Sequence, residues 1–123
     1  KNKVPEGAMR TLVWHEGQLR AETGQYQRAI ELMEKATKPA EKDGSGWNHY
    51  VNATIAFLES DLNKLKAYRE KLAMVPKPAG FNPRDAQGNP VDVPWPPNLS
   101  IVDSFIRCFG KTYAEVYAGC PKE

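Results

Sequence analysis

A chain of 123 residues, 41% hydrophobic and 26% charged, has the size and composition of one globular domain. Its formal net charge is +2 and its charges alternate in sign, which argues against nucleic acid as a partner. No apolar run approaches the roughly 20 residues of a membrane span. The chain opens on Lys1 rather than Met, which predicts that an upstream segment was removed, by a cellular protease or by design.

Two helices are predicted over the first third of the chain. The first covers 5–22, because proline suits the first helical turn and an apolar face follows it. That face consists of Met9, Leu12, Val13 and Leu19. Gly24 then breaks the chain, and apolar residues at helical spacing predict a second helix over 26–37, which ends before Pro39.

A second pair of helices is predicted after a turn over 43–46. Ser45 is a candidate N-cap for a helix over 46–58, and Asp61 for a helix over 61–74. The two hairpins have similar lengths and cannot bury their apolar faces alone. We therefore expect them to stack against each other.

A proline-rich segment follows over 76–98. Seven prolines, at positions 76, 78, 83, 90, 94, 96 and 97, exclude a helix there. Phe81 and Trp95 make it too apolar for a simple linker, so we expect an ordered, extended strap docked on the helices. Its spacing of oxygen-bearing side chains only loosely resembles a calcium loop and is more typical of a turn. The oxygen-bearing residues are Asp85, Asn89 and Asp92, with Gly88 between the first two.

The last part of the chain, 99–120, is predicted to form a helical pair that completes the single domain 1–123. Ser100 and Asp103 resemble a capping box at the start of a fifth helix that runs to about Phe109. Thr112 and Glu115 have the standard capping-box pattern for a sixth helix ending near residue 119.

Cys108 and Cys120 are the only cysteines. On one continuous helix they would lie about 18 Å apart and could not bond. Because Gly110 breaks the helix, the last helix can fold back, which leaves two alternatives, a disulfide or two separate buried thiols. A bonded pair would favour an exported or periplasmic protein.

The first hairpin resembles a tetratricopeptide (TPR) repeat unit. Gly17, Ala29 and Ala36 provide the small residues that such units need where their helices cross, and Gly24 and Tyr26 match the turn and the start of the second helix. Glu16 and Arg20 depart from the family, which has large apolar and aromatic residues at these positions. The second hairpin keeps only the size pattern, so the resemblance covers about 5–75. It implies an all-α fold of two stacked antiparallel hairpins.

The resemblance also implies a binding groove lined by the first helix of each hairpin. It assigns to this groove Trp14, Gln18, Trp47, Tyr50 and Thr54. Aromatic and amide side chains on such a face suit a peptide or protein segment. Two arrangements remain open: an accessible groove, or aromatic side chains that are simply buried, with or without the proline-rich segment above them. The segment could also fill the groove as an internal ligand.

Three functions follow from these patterns. The first is a non-enzymatic interaction module that binds a peptide or protein segment in the groove. The second is a small-molecule-binding protein or enzyme with a site between the proline-rich segment and the helices, for which the residues of interest are His15, His49, Asp85 and Trp95. The third is a structural fragment of a longer repeat protein. The histidines lack partners at metal-ligand or catalytic spacing, so we expect no metal, no cofactor and no catalytic constellation, and no motif predicts an oligomeric state.

Overall fold

The computed structural model describes residues 5–120, so the prediction about Lys1 lies outside the described part. Within that range the regular structure is helical, and the predicted all-α class is confirmed. The helices are α1 (Glu6–Glu22), α2 (Tyr26–Glu34), α3 (Trp47–Leu58), α4 (Leu62–Ala73), α5 (Leu99–Arg107) and α6 (Tyr113–Gly119), with a short 3₁₀ turn at Ala40–Lys42. Helix α2 ends three residues before the predicted Thr37, because Lys35 and Ala36 close 3₁₀-type turns onto Leu32 and Met33.

Consecutive helices pack as pairs, α1 with α2 and α3 with α4, and α2 joins the pairs by packing against α3. Helix α5 packs against α3 and α4, while α6 packs against α1 and α5. The ring of Phe105 on α5 stacks on Phe57 of α3 at 4.7 Å between centroids. The C-terminal helices therefore lie against both helical pairs and cover apolar surface of each.

Small residues let α1 approach α2 closely. Ala29 and Ala36 have no exposed surface, and Gly17 is buried. A Cβ atom added at Gly17 would lie 3.0 Å from Cγ of Met33, tighter than ordinary van der Waals contact. The crossing of α1 and α2 therefore depends on the small side chains that the sequence predicted there.

The prediction of which face of α1 is buried was wrong. Met9, Leu12 and Leu19 are 47%, 60% and 63% exposed. Of the four predicted residues, only Val13 packs against the core. The buried residues of α1 are Trp14, Gly17 and Ala21. This face turns inward because Gly17 on it lets the α1 backbone approach α2 closely, with Trp14 packed on the same side. The close approach outweighs the larger apolar side chains of Met9, Leu12 and Leu19.

Two predicted helix caps are present. The Asp61 carboxylate accepts a hydrogen bond from the backbone N–H of Lys64 at 3.0 Å. Thr112 and Glu115 form a complete capping box, in which each side chain accepts from the other residue's backbone N–H, at 3.2 and 2.9 Å. These caps satisfy N–H groups that the first helical turn leaves without partners.

Two other predicted caps were wrong. Helix α3 is capped by Asp43 rather than Ser45: the carboxylate of Asp43 accepts from the backbone N–H groups of Trp47 and Asn48, at 2.7 and 3.0 Å. Each carboxylate oxygen accepts one N–H, so Asp43 satisfies two of the donors that the first turn of the helix leaves without partners. Helix α5 begins after Asn98, too early for a Ser100 cap, and the carboxylate of Asp103 instead accepts from Nε of Arg69 on α4 at 2.8 Å.

The segment 76–98 contains no helix and contacts the end of α4. The indole N–H of Trp95 donates to the carbonyl of Val75 at 2.9 Å, and its ring lies edge-on to Phe81 at 5.0 Å. The carboxylate of Asp85 accepts from the backbone N–H groups of Gln87 and Asn89, both at 2.9 Å. One carboxylate oxygen, Oδ1, thus closes a turn, as predicted.

Cys108 and Cys120 form a disulfide pair, with Cα atoms 6.4 Å apart. Gly110, with φ of +100°, provides the break that turns α6 back toward α5. Of the two alternatives for the cysteines, the structure has the bonded one.

Candidate functional site

Three aromatic rings from α1 and α3 form one cluster, which we call the aromatic cluster (Trp14, Trp47 and Tyr50). The Trp14 and Trp47 rings meet edge-on at 4.9 Å, and Tyr50 lies 5.4 and 5.5 Å from them. The indole N–H of Trp47 donates to the carbonyl of Ala36 at 2.7 Å, which fixes the ring against the end of the first helical pair. Trp14 and Tyr50 are only 5% and 3% exposed.

A pocket of about 480 Å³ lies over the aromatic cluster. This volume is within the usual range for sites that bind small ligands or side chains. Its walls come from α1, α3, α6 and the connections before α3 and α5, and its lining residues are Gly7, Arg10, Thr11, Trp14, His15, Gln18, Lys38, Trp47, Tyr50, Asn98 and Tyr117.

Four of the five predicted groove residues meet at this pocket: Trp14, Gln18, Trp47 and Tyr50. The fifth, Thr54, has no exposed surface, and its hydroxyl donates to the carbonyl of Tyr50 at 2.9 Å. Thr54 therefore supports the aromatic cluster from within the core and does not contact the pocket.

The proline-rich segment does not fill the pocket. Among the described residues that line it, only Asn98 belongs to 76–98. Trp95 and Phe81 pack together at the end of α4. Helix α6 borders the pocket on one side, through Tyr117.

Two cations stand at one end of the pocket. Arg10 donates from Nε to the carbonyl of Thr37 at 3.2 Å, and Lys38 is the next residue along the chain. The side chain of Asn48 accepts from the backbone N–H of Lys38 and donates to its carbonyl, both at 2.8 Å. This double hydrogen bond holds the backbone of Lys38 beside the N-terminus of α3.

A row of hydrogen bonds links α1 to α6 along another wall. Nδ1 of His15 lies 3.3 Å from Oε1 of Gln18, whose Nε2 donates to the Tyr113 hydroxyl at 3.2 Å. Tyr113 stacks on Tyr117 at 5.3 Å, and its backbone N–H donates to the Tyr26 hydroxyl at 2.9 Å. The position of Tyr117 at the pocket therefore depends on α6 docking against α1.

Burial raises the pKa of the Tyr50 hydroxyl above its usual range, and the neighbouring Tyr113 and Tyr117 hydroxyls add to the effect. Burial likewise raises the pKa of Tyr113. Both hydroxyls therefore stay protonated at neutral pH, so they serve as hydrogen-bonding groups and not as general bases.

The residues of the alternative site do not come together. His15 lines the pocket, whereas His49 is half-buried with its ring 6.4 Å from Tyr68. Asp85 closes an exposed turn, and Trp95 packs against Phe81. Over residues 5–120, no group of three or more His, Cys, Asp or Glu side chains has the arrangement of a metal site.

Sequence reasoning missed five residues at the pocket: Gly7, Arg10, Lys38, Asn98 and Tyr117. Arg10 precedes Trp14 by one helical turn and lies on the same helix face as Trp14 and Gln18. The periodicity that predicted those two residues could therefore also have placed Arg10 at the pocket. Lys38 and Tyr117 reach the pocket through the Asn48 hydrogen bonds and the docking of α6, for which the sequence carries no periodic signal.

Comparison with protein-family models, with curated proteins and with solved structures returned no match to this chain. Within the described range no helix is long and apolar enough to cross a membrane.

Proposed function

We propose that the chain is a non-enzymatic interaction module of the helical-repeat type, which binds a peptide or protein segment in the pocket over the aromatic cluster. The observation that carries this proposal is the meeting of Trp14, Trp47 and Tyr50 beneath a pocket of about 480 Å³. Partly exposed side chains on the wall, such as Gln18 and Tyr117, offer hydrogen bonds to a bound backbone. Aromatic anchors within a polar rim are typical of the energetic centres of protein interfaces.

TPR-like stacking of the two helical pairs belongs to the same proposal. The close approach at Gly17 and the contact of α2 with α3 support it. In this arrangement α6 would take the place of a further repeat along the groove. The polar pair Glu16 and Arg20, whose side chains are 46% and 40% exposed and lie 3.5 Å apart, is consistent with a first hairpin that lacks an ordinary repeat on that side.

The proline-rich segment would act as an ordered strap at the far end of α4. The Trp95 hydrogen bond to Val75 and the Phe81 contact support this role. Export to an oxidising compartment is also part of the proposal, supported by the Cys108–Cys120 pair. Titration of thiols under denaturing, non-reducing conditions tests the pair: we expect no reactive thiol, and two would contradict both the bond and the inference of export.

Selection from a displayed library of random 12-residue peptides against the folded chain tests the binding function. Alanine replacements in the aromatic cluster are unsuitable as controls, because truncating such buried rings costs about 3–5 kcal/mol and would disturb the fold. Thr11 is exposed and lines the pocket, so Thr11→Trp would obstruct it. Leu12, 60% exposed and outside the pocket lining, provides the matched control Leu12→Trp.

We expect selected peptides to bind the wild-type chain and the Leu12→Trp variant with similar affinity, and the Thr11→Trp variant at least 10-fold more weakly. Circular dichroism should show the same helical content in all three proteins. Failure to select any peptide, or equal binding to both variants, would contradict the proposal.

A second candidate function, a structural unit within a longer repeat protein, is favoured by the exposed apolar residues of α1. Met9, Leu12 and Leu19 form a stripe on the face opposite the buried side of the helix. A helix of a neighbouring repeat would cover such a stripe. A photo-crosslinking amino acid at position 12 of the full-length gene product tests this candidate: crosslinks within the same polypeptide would support it, and crosslinks only to other molecules would contradict it.

A further inference from the structure

The pocket is positively charged at one end. It carries Arg10 and Lys38, and none of its eleven lining residues in the described chain is an Asp or Glu. The chain as a whole has 17 Lys and Arg against 15 Asp and Glu, so this local excess is not a consequence of an overall basic composition. A bound group that carries negative charge would find complementary charge only at this end of the pocket.

Arg10 is held in place, whereas the acid beside it is not. The side chain of Arg10 is 17% exposed and is tied to the Thr37 carbonyl through Nε. Its NH2 group lies 3.7 Å from the Glu6 carboxylate, but that carboxylate is on a side chain 74% exposed to water. Because water competes for an acid this exposed and the contact is long, the pair contributes little, and a ligand carboxylate can compete with Glu6 for the guanidinium.

The cationic end adjoins the aromatic cluster. Nζ of Lys38 lies 6.0 Å from the centroid of the Trp47 ring, and the Lys38 backbone is fixed by Asn48. Neighbouring Cα atoms in a peptide are about 3.8 Å apart. If one residue of a bound peptide places an apolar side chain over the cluster, a residue one or two positions away can therefore contact the cations.

We infer that the pocket recognises an acidic peptide segment, in which a large apolar side chain lies over Trp14 and Trp47 and an adjacent Asp or Glu carboxylate binds between Arg10 and Lys38. This inference rests on the proposed function and specifies its ligand. A guanidinium forms charge-assisted hydrogen bonds with a carboxylate and an ammonium adds a point charge, so the uncharged amides Asn and Gln are disfavoured. Charge complementarity of this kind selects partners and accelerates their association.

Two 12-residue libraries test the inference, one containing Asp and Glu at its variable positions and one with Asn and Gln in their place. The variant Arg10→Gln/Lys38→Gln removes both pocket cations. The matched control Arg28→Gln/Lys35→Gln removes two exposed cations that do not line the pocket, for the same change in net charge. Arg10→Lys, which keeps the charge, and Lys38→Gln alone remain usable if the double variant fails to fold.

We expect enrichment from the acidic library only, with binding that weakens as salt rises. The best acidic peptide should lose at least 10-fold in affinity on Arg10→Gln/Lys38→Gln, keep most of its affinity on Arg10→Lys, and be unaffected by the control variant. Equal enrichment of the neutral library, with binding that Thr11→Trp blocks but the pocket-cation variant does not weaken, would overturn the acidic preference and leave the proposed function intact. Absence of pocket binders in both libraries would overturn the proposed function itself. Binding of 3-phenylpropionate as tight as that of the best peptide would assign the pocket to small aromatic acids and overturn the peptide ligand.

Discussion

Replacement of Gly46 by alanine should lower the free energy of unfolding by about 2–5 kcal/mol. Gly46 precedes α3 with φ of +81°, a left-handed conformation that costs other L-residues about 1–2 kcal/mol. An added Cβ would also lie 2.8 Å from Cδ1 of Leu72 and 2.9 Å from Cγ2 of Val75. Leu72 is fully buried and cannot move aside freely, so overpacking adds about 1–3 kcal/mol.

Two other glycines separate these contributions. Gly24 has φ of +84° but no atom within 4 Å of an added Cβ, so Gly24→Ala should show the conformational cost alone, about 1–2 kcal/mol. Gly44 has neither a positive φ nor a close neighbour, so Gly44→Ala should change stability by less than about 0.5 kcal/mol.

Urea unfolding followed by circular dichroism gives the free energy for each variant by linear extrapolation. If Gly46→Ala costs no more than Gly24→Ala, the packing of Gly46 against Leu72 and Val75 is refuted. If it costs no more than Gly44→Ala, the left-handed conformation is refuted as well. Truncating Val75 in the Gly46→Ala background should recover part of the lost stability if the overlap with Cγ2 is real.

Three further predictions concern the disulfide, the buried tyrosines and the cap of α3. Replacing Cys108 and Cys120 by Ser should lower the free energy of unfolding by about 3 kcal/mol, and reductant should have the same effect on the wild-type chain. A urea midpoint of the wild-type chain that does not change with reductant would refute the bond. Because burial raises the pKa of Tyr50 and Tyr113, their contribution to stability is complete below the unfolded pKa of about 10 and is lost as pH rises above it. Above this pH the free energy of unfolding should fall by up to about 1.4 kcal/mol per pH unit for each group. Urea titrations between pH 9 and 11 should therefore show a shallower fall for Tyr113→Phe than for the wild type. An equally steep fall in both proteins would contradict the raised pKa of Tyr113. Asp43→Ala should cost about 1–2 kcal/mol in the same assay, since its carboxylate accepts two hydrogen bonds at the start of α3, and no loss would assign the cap elsewhere.

The helices were predictable because local signals determine them. Helical spacing of apolar residues, Pro39 after α2 and the Asp61 cap all act within a few residues of the helix that they define. The buried face of α1 was not predictable from hydrophobicity. The orientation of α1 depends on how closely Gly17 allows α2 to approach. Glycine favours this contact because it has no side chain, and a hydrophobicity pattern does not register that property.

The pocket was predictable in part for the same reason. Trp14 and Gln18 are four residues apart and lie on one helical face. If one of them lines the pocket, the other is therefore expected to line it as well. Tertiary contacts bring Lys38 and Tyr117 to the pocket. The hydrogen bonds that hold Lys38 join it to Asn48, 10 positions away in sequence, and the hydrogen bond that docks α6 joins two residues 95 positions apart. Hydrophobic periodicity carries no information about contacts at such separations.

The three indole N–H groups provide the most direct test of binding at the pocket. Trp14 and Trp47 belong to the aromatic cluster, whereas Trp95 packs against Phe81 at the end of α4 and serves as an internal control. In a ¹H–¹⁵N NMR titration of the full chain with the best peptide from the library, the indole signals of Trp14 and Trp47 should shift with the binding curve while that of Trp95 stays unchanged. Saturable binding that shifts Trp95 alone, or none of the three signals, would contradict the assignment of the pocket as the binding site.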